Sequence, residues 1–357
     1  MDIQPNQTWF LGANAPKGFT SLYPEFTDPK RGKLYILKGG PGCGKSTFMR
    51  KIAEYAKSRG LTAEEIRCSG DPDSLDGVYI PAWRVGYVDG TAPHVIEPVC
   101  PGGTDLYLNF SAFYDETALK DKTAEIRDAF AAYKKEYARA YKWISGAEAV
   151  QSAALTPYAV PEVLSAVKHR AEKLASRLFR GKVNDGETKR FLSALTCEGK
   201  ITLWETADAL AKDIVTLDNT FGLASVFLDT LYKEARKRGL SPIVCPDPMA
   251  PDRLEHLILP DISLAFVSVT PEMPYPGTPL RHLRLDAMVP DTIIRQNRTA
   301  FRRAEKLYRA LILEAVSALD SANRLHDNLE AIYHPHVDFN ALQSFAAAHL
   351  SALPPRL

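Results

Sequence analysis

Hydrophobic and polar positions follow strand-like and helix-like patterns in turn along this chain. In its first half, apolar runs predict strands over residues 33–37, 63–68 and 83–89. Apolar positions at helical spacing predict a helix over residues 46–59 and a longer one over 116–144. Because strands alternate with helices, the chain is expected to have an α/β fold with parallel sheets.

The second half repeats this order of elements. Its predicted strands and helices cover residues 213–217, 225–238, 242–245, 262–268 and 292–325. Shifting the chain by 179 residues aligns 46–94 with 225–273 without a gap, and 12 of the 49 aligned positions are identical. We therefore predict two duplicated three-layer α/β halves with long helical extensions, over residues 1–183 and 184–357.

The most informative motif lies between the first predicted strand and the first predicted helix. Residues 39–46 match the phosphate-binding loop (P-loop) pattern G-x-x-x-x-G-K-[ST] in full. Glycines let successive backbone N–H groups turn toward one anion, and the following helix adds further free N–H donors. Its strand and helix flanks argue against a glycine-rich turn that matches by chance. The predicted nucleotide-binding residues are Gly39, Gly40, Pro41, Gly42, Cys43, Gly44, Lys45, Ser46 and Thr47.

Within this motif two side chains have separate predicted roles. Lys45 would reach the β- and γ-phosphates of a nucleoside triphosphate, and the Ser46 hydroxyl would bind Mg²⁺. Asp89, which ends an apolar strand, is a second predicted Mg²⁺ ligand. A solvated turn aspartate is the alternative interpretation. The catalytic residues predicted are Lys45 and Asp89, and the metal ligands predicted are Ser46 and Asp89.

The second half lacks this chemistry at the aligned positions. Gly39, Gly42, Gly44, Lys45 and Asp89 align with Asp218, Phe221, Leu223, Ala224 and Ser268. The second copy is therefore predicted to be a degenerate, P-loop-like domain that does not bind nucleotide.

Other polar groups are weaker candidates for the site. Asp71, Asp73 and Asp76 lie in a predicted loop after the second strand, where they could bind metal or substrate or form a solvated turn. His94 could contact a γ-phosphate or pack in a loop. Residues 281–309 carry eight basic and three acidic side chains. This stretch could be a solvated helix face, supply an arginine finger to the first half, or bind nucleic acid.

Composition limits the class of protein. Of the 357 residues, 45% are hydrophobic and 24% are charged, as in a soluble globular protein. A net charge of +1 argues against a field that attracts nucleic acid or acidic membranes. No apolar run approaches membrane-spanning length, and no signal peptide is recognised. Five scattered cysteines, one of them in the P-loop, argue against a disulfide framework, so a cytoplasmic location is expected.

Four segments together resemble a known group of proteins. They are residues 10–19, 37–47, 74–78 and 89–94. The chain is similar in these segments to tandem P-loop ATPase-like proteins of bacteria, mainly Firmicutes, which contain the same unit twice. The resemblance is strong in the first half and weak in the second. It implies ATP as the ligand and little about a substrate, and the degenerate second copy departs from it.

The leading functional hypothesis is an ATP-binding, Mg²⁺-dependent NTPase that hydrolyses ATP in its N-terminal half and has a C-terminal pseudo-NTPase lobe. One alternative is a P-loop kinase that phosphorylates a small molecule or nucleotide. Another is a nucleotide-dependent binding switch with negligible turnover. No particular acceptor or protein partner is indicated, and the absence of a recognised nucleic-acid module argues against nucleic acid.

Overall fold

The computed structural model describes residues 6–26, 28, 31–93, 95–180 and 186–354, which form two mixed sheets with helices around them. The strands of the first half are β1 (Gln7–Phe10), β2 (Gly12–Ala15), β3 (Gly18–Ser21), β4 (Lys33–Lys38), β5 (Glu64–Arg67), β6 (Leu75–Ile80), β7 (Val85–Asp89) and β8 (Asp105–Asn109). Those of the second half are β9 (Thr188–Lys189), β10 (Ser193–Thr196), β11 (Gly199–Thr202), β12 (Asp213–Asp218), β13 (Ile243–Asp247), β14 (Ala250–Leu259), β15 (Leu264–Val269) and β16 (Arg281–Leu283).

Eight α-helices connect and cover these strands in the described part of the chain. They are α1 (Lys45–Ser58), α2 (Glu116–Asp121), α3 (Thr123–Leu155), α4 (Pro161–Leu178), α5 (Trp204–Leu210), α6 (Ala224–Lys237), α7 (Asp291–Tyr333) and α8 (Phe339–Ser351). No helix within the described residues is long and apolar enough to span a membrane.

The two sheets have the same strand order. The first runs β1-β5-β6-β7-β4-β8 and the second β9-β13-β14-β15-β12-β16, with a two-stranded hairpin beside each (β2-β3 and β10-β11). The α/β class predicted from the sequence is thereby confirmed, and the repeat is visible in the topology. The prediction of fully parallel sheets is wrong, because β6 and β14 run antiparallel to both of their neighbours.

Strands β6 and β14 are among the elements that the sequence pattern did not predict. The apolar run Leu75, Val78 and Ile80 lies in β6 and is buried against α1. Its neighbours Asp76 and Gly77 suggested a turn, which is why the segment was predicted to be a loop. In the sheet, however, Gly77 allows close packing, since a Cβ there would lie 3.2 Å from the ring of Phe26.

Each sheet packs its outer face against a helix from the other half. Helix α8, at the end of the chain, places Leu342 and Ala346 in the core formed by β4, β6, β7 and α1. Helix α4, which precedes the second half, places Val163 and Val167 in the core around α6 and β12. The two cores are therefore completed by an exchange of helices across residues 1–183 and 184–357.

Helices α3 and α7 form a long antiparallel pair. Helix α3 leads to α4 and α7 leads to α8, so each exchanged helix follows a long helix that runs to the opposite half. Tyr133 lies beside His326, with ring centroids 5.6 Å apart, and further along Tyr158, just past α3, lies beside Phe301 at 5.5 Å. Alanines such as Ala140 and Ala318 are fully buried between the helices, which lets their backbones approach closely.

The inner faces of the two sheets share one further core. Ile36 and Val88 of the first sheet lie in the same buried cluster as Ile258 and Val267 of the second. The hairpins and helix α5 contribute to it, and Phe10 and Phe191 join the halves through reciprocal backbone hydrogen bonds of 3.0 Å. The inner layer is thus common to both halves, where the sequence predicted three separate layers in each.

The helix exchange predicts a large loss of stability when its buried contacts are removed. Leu342 of α8 is only 8% exposed, so Leu342→Ala should lower the free energy of unfolding by about 2–4 kcal/mol, through lost burial and a residual cavity. Leu307→Ala is the matched control, because Leu307 is 50% exposed on α7 and should change stability by less than about 0.5 kcal/mol. Chemical denaturation followed by circular dichroism measures both. Equal effects would contradict the exchange.

Candidate functional site

The glycine-rich loop (residues 39–46) connects the end of β4 to the first turn of α1. Gly42 and Gly44 have φ angles of +67° and +83°, which side-chain-bearing residues rarely adopt. Space is restricted as well, because a Cβ at Gly39 would lie 2.7 Å from the Cys43 sulfur. These glycines are therefore required by backbone conformation and by close packing.

The loop presents a row of free backbone donors. In the described part of the chain, the backbone N–H groups of residues 43–47 donate to no protein acceptor, and the first hydrogen bond of α1 is from Phe48 N–H to Gly44 O, at 2.9 Å. No side chain caps the helix at Gly44. Because such donors add to the positive end of the helix dipole, this end of α1 is suited to bind an anion.

Lys45 and Asp89 meet at this loop. Strand β7 lies directly beside β4, with Leu37 paired to Asp89 in the parallel register. The Lys45 Nζ donates to the carbonyl oxygens of Gly39 and Gly40, both at 2.8 Å, and lies 3.6 Å from an oxygen of Asp89. The other Asp89 oxygen accepts from the N–H and hydroxyl of Thr91, at 2.8 and 2.6 Å. The two side chains predicted to be catalytic are thus neighbours.

Ser46 and Thr47 occupy the first turn of α1. The Ser46 Oγ accepts a hydrogen bond from the Leu75 N–H at 2.9 Å, which places the start of β6 next to the loop. Thr47 is exposed on the same turn.

Of the three aspartates predicted to lie in a loop after β5, two lie in that loop and the third lies in strand β6. Asp71 and Asp73 lie in a turn, where Asp71 accepts from the Ser74 hydroxyl at 2.5 Å. Asp76 is instead buried in β6 and accepts from the Tyr23 hydroxyl at 2.8 Å. The hypothesis that Asp76 lies in a catalytic loop is therefore wrong, because its carboxylate is used in the protein core.

Tyr114 supports the loop from within the first half. Its hydroxyl donates to the Pro41 carbonyl at 3.0 Å and would lie 2.8 Å from a Cβ at Gly40. Cys43 is buried beneath the loop, and its thiol donates to the Gly40 carbonyl at 3.0 Å. Burial raises the pKa of the Cys43 thiol above its ordinary value, although Lys45 acts in the opposite direction.

Helices α7 and α8 of the second half also reach the loop. Glu330 of α7 accepts a hydrogen bond from the Gly42 N–H at 3.1 Å, and Tyr333 lies 3.6 Å from the Cβ position of Gly40. A methyl carbon of Leu342 lies 2.7 Å from the Cβ position of Gly44. The sequence contains no local signal for these contacts, because Glu330 is 288 residues from Gly42 and only the helix exchange brings them together.

The second-half loop (residues 219–223) has five residues between β12 and α6, one fewer than the six (39–44) between β4 and α1, and it makes hydrogen bonds to side chains of its own half. Asp286 accepts from the N–H groups of Thr220 and Phe221 at 3.0 and 3.1 Å. Asn219 accepts from the Ala224 N–H at the start of α6, at 3.0 Å. Three donors at this loop are therefore occupied by side chains of the same half, two of them by a carboxylate. Ser268 pairs with Leu217 in the register that Asp89 has with Leu37, so it is the counterpart of Asp89.

The remaining sequence candidates are not brought to the glycine-rich loop. Arg309 pairs with Glu272 and Glu305, and Arg295 pairs with Asp291. From Arg309 to Glu330 there are 21 residues of helix, or about 32 Å at 1.5 Å per residue. The hypothesis of an arginine finger from residues 281–309 is therefore wrong for this structure, and the solvated helix face is the better description. His94 lies outside the described residues.

Comparison of the chain with protein-family models, with curated proteins and with solved structures gave no match. The site itself therefore carries the functional argument.

The burial of Cys43 predicts a slow reaction with alkylating reagents. The thiolate is the reactive form, and both burial and the raised pKa reduce its accessible amount. With iodoacetamide at mildly alkaline pH, the exposed Cys100 should be alkylated first, and Cys43 only after unfolding. Mass spectrometry of tryptic peptides measures both residues in one sample. Alkylation of Cys43 as fast as Cys100 in the folded protein would contradict this arrangement.

Proposed function

We propose that the glycine-rich loop binds the phosphates of ATP and that the first half is a P-loop NTPase domain which hydrolyses it. The observation that carries this proposal is the run of free N–H groups at residues 43–47 beside the Lys45 ammonium. A triphosphate is the ligand that matches several backbone donors, a helix N-terminus and one lysine. The second half, which has no lysine at the position of Lys45 and whose loop holds the Asp286 carboxylate, is proposed to be a pseudo-NTPase lobe.

Mg²⁺ fits the oxygen groups at this loop. Asp89 supplies a carboxylate directly beside β4, and Ser46 supplies a hydroxyl on the first turn of α1. One carboxylate and one hydroxyl, completed by phosphate and water oxygens, is a donor set that Mg²⁺ accepts. When bound, Mg²⁺ would neutralise charge on the phosphate oxygens.

The residues of this chain would act mainly by positioning and charge. Lys45 would exchange its bonds to the Gly39 and Gly40 carbonyls for phosphate oxygens, while Asp89 stays oriented by Thr91. Backbone donors fixed by the loop would stabilise charge that develops on the transferred phosphoryl group, with little reorganisation. Asp71 and Asp73 are the carboxylates in the turn next to Ser46 that could orient water or an acceptor hydroxyl.

A nucleotide-dependent switch is favoured as a second candidate by the contact of Glu330. Its carboxylate uses the Gly42 N–H, one of the donors that the proposed phosphates require. Nucleotide binding would therefore displace Glu330 and move the end of α7 relative to the loop. A switch of this kind would show tight binding with negligible hydrolysis, whereas the NTPase would show Mg²⁺-dependent phosphate release.

Removal of the loop lysine tests the nucleotide site. Lys45→Ala should reduce ATP hydrolysis roughly 100- to 1,000-fold, because it removes the positive charge that would stabilise negative charge on the transferred phosphoryl group. Release of inorganic phosphate with ATP and Mg²⁺ measures this effect. Lys57→Ala, at an exposed position of the same helix, is the matched control and should retain wild-type activity.

Phosphate release that persists in Lys45→Ala would contradict the NTPase assignment. If the wild-type protein binds ATP but releases no phosphate, the switch replaces the NTPase as the function of the site.

The Glu330 contact predicts that this carboxylate opposes nucleotide binding. Glu330→Gln should tighten ATP binding about tenfold, because it removes a negative charge and weakens a charge-assisted hydrogen bond to Gly42. Isothermal titration calorimetry measures the dissociation constant. Glu314→Gln, at an exposed position of the same helix, should leave it unchanged. Equal or weaker ATP binding by Glu330→Gln would show that Glu330 does not compete with phosphate.

A further inference from the structure

A cavity lies beside the second-half loop (residues 219–223). It has a volume of about 520 Å³ and is lined by residues of α3, α7, the second-half loop and the segment after β15. A cavity of this size accommodates a ligand the size of a typical cofactor or drug molecule.

Negative charge predominates along the cavity wall. Five carboxylate side chains line the cavity, and they are Glu148, Asp247, Glu255, Glu272 and Glu305. The lysine and arginine side chains that line it number three, and they are Lys200, Arg253 and Arg309. Arg309 is already paired with Glu272 and Glu305, and Lys200 with Glu255. The wall therefore has more negative charges than its own cations balance.

Four ionisable side chains lie close together at one side of the cavity, and they are Lys200, Asp247, Glu255 and His256. Glu255 contacts the Lys200 ammonium and lies 3.2 Å from the His256 Nε2. His256 is only 1% exposed, and its Nδ1 has no hydrogen-bond partner within the described residues. Within the described residues, the Asp247 side chain accepts one hydrogen bond, from the Met249 N–H at 2.9 Å, and burial raises the pKa of its carboxyl group. An unpartnered ring nitrogen and a carboxylate without its own cation leave polar groups for a ligand.

In the first half, tyrosine side chains lie at the equivalent positions. At the offset of 179, Asp76 corresponds to Glu255 and Gly70 to Met249. There the Tyr23 hydroxyl satisfies Asp76, and the Tyr137 hydroxyl lies 2.5 Å from the Cβ position of Gly70. The open, charged cavity is thus a feature of the second half and does not follow from the repeated fold alone.

We propose that this cavity binds an organic cation, an amine on an aromatic or apolar body. The ammonium group would lie among Asp247, Glu255 and Glu272, and the rings of Trp204 and Tyr308 would pack against the aromatic or apolar body. Phosphate esters are disfavoured, because carboxylates line the cavity and Asp286 occupies the N–H groups of Thr220 and Phe221. The second half then holds a cation where the first half is suited to an anion.

Three indole compounds of similar size and different charge test the proposal with the full-length chain. Tryptamine is a cation, tryptophol is neutral and indole-3-propionate is an anion. Isothermal titration calorimetry should show tryptamine binding at least about tenfold more tightly than the other two. Asp247→Asn and Glu255→Gln should remove most of this preference while leaving the binding of tryptophol unchanged. Asp128→Asn, at an exposed position of α3, is the control and should behave as wild type.

A cavity-filling variant keeps the test decisive if Glu255→Gln does not fold. Ala304 lines the cavity from α7, so Ala304→Trp should block tryptamine binding without altering the buried charges. The proposal is overturned by equal binding of the three compounds, by preferred binding of the propionate, or by no tryptamine binding at millimolar concentration. Tryptamine binding that survives Ala304→Trp would place the ligand elsewhere and would also overturn it.

Discussion

The exchange of helices between the two halves is the constraint on which the rest of the structure depends. Without α8 the face of β4, β6 and β7 that carries α1 would lose Leu342 and Ala346 from its core, and without α4 the second sheet would lose Val163 and Val167. Burial of apolar area is the dominant favourable term in folding, so each half needs the other for a complete core. The same exchange brings Glu330 and Tyr333 to the glycine-rich loop, which means that the candidate site is built from both halves.

Within that frame, the two loops show how one scaffold supports opposite local chemistry. Both follow the strand next to the edge of a six-stranded sheet and precede an amphipathic helix of 14 residues. In the first half glycines leave the donors of residues 43–47 free and Lys45 beside them. In the second half Asp286 accepts from Thr220 and Phe221, Asn219 accepts from Ala224, and the position of Lys45 is an alanine. The difference lies in a few side chains, because the backbone topology is the same.

The sequence predicted the features that depend on local patterns and missed those that depend on contacts between distant residues. Local patterns were sufficient for the β4–loop–α1 unit and for the position of Asp89 at a strand end, since each depends on residues close together in the chain. The repeat was visible because the two copies align without a gap over 49 residues. The contact of Glu330 with Gly42 depends on a tertiary exchange over 288 residues, for which no local pattern exists. Strand β6 was missed because Asp76 and Gly77 are typical of turns, and only Tyr23 and the ring of Phe26 make them suitable for a buried strand.

Helix α7 physically links the two candidate sites. Its residues Phe301, Tyr308 and Leu313 line the second-half cavity, and Glu330 at its far end contacts the loop. Between these contacts Ala315, Ala318, Leu319 and Ala322 are buried in the core. Interiors packed at this density have low compressibility and transmit strain, so a displacement at one end of α7 has to be accommodated along the helix. Helix α7 is one continuous helix that contacts both sites. It is therefore the element through which the second-half cavity and the glycine-rich loop would influence each other.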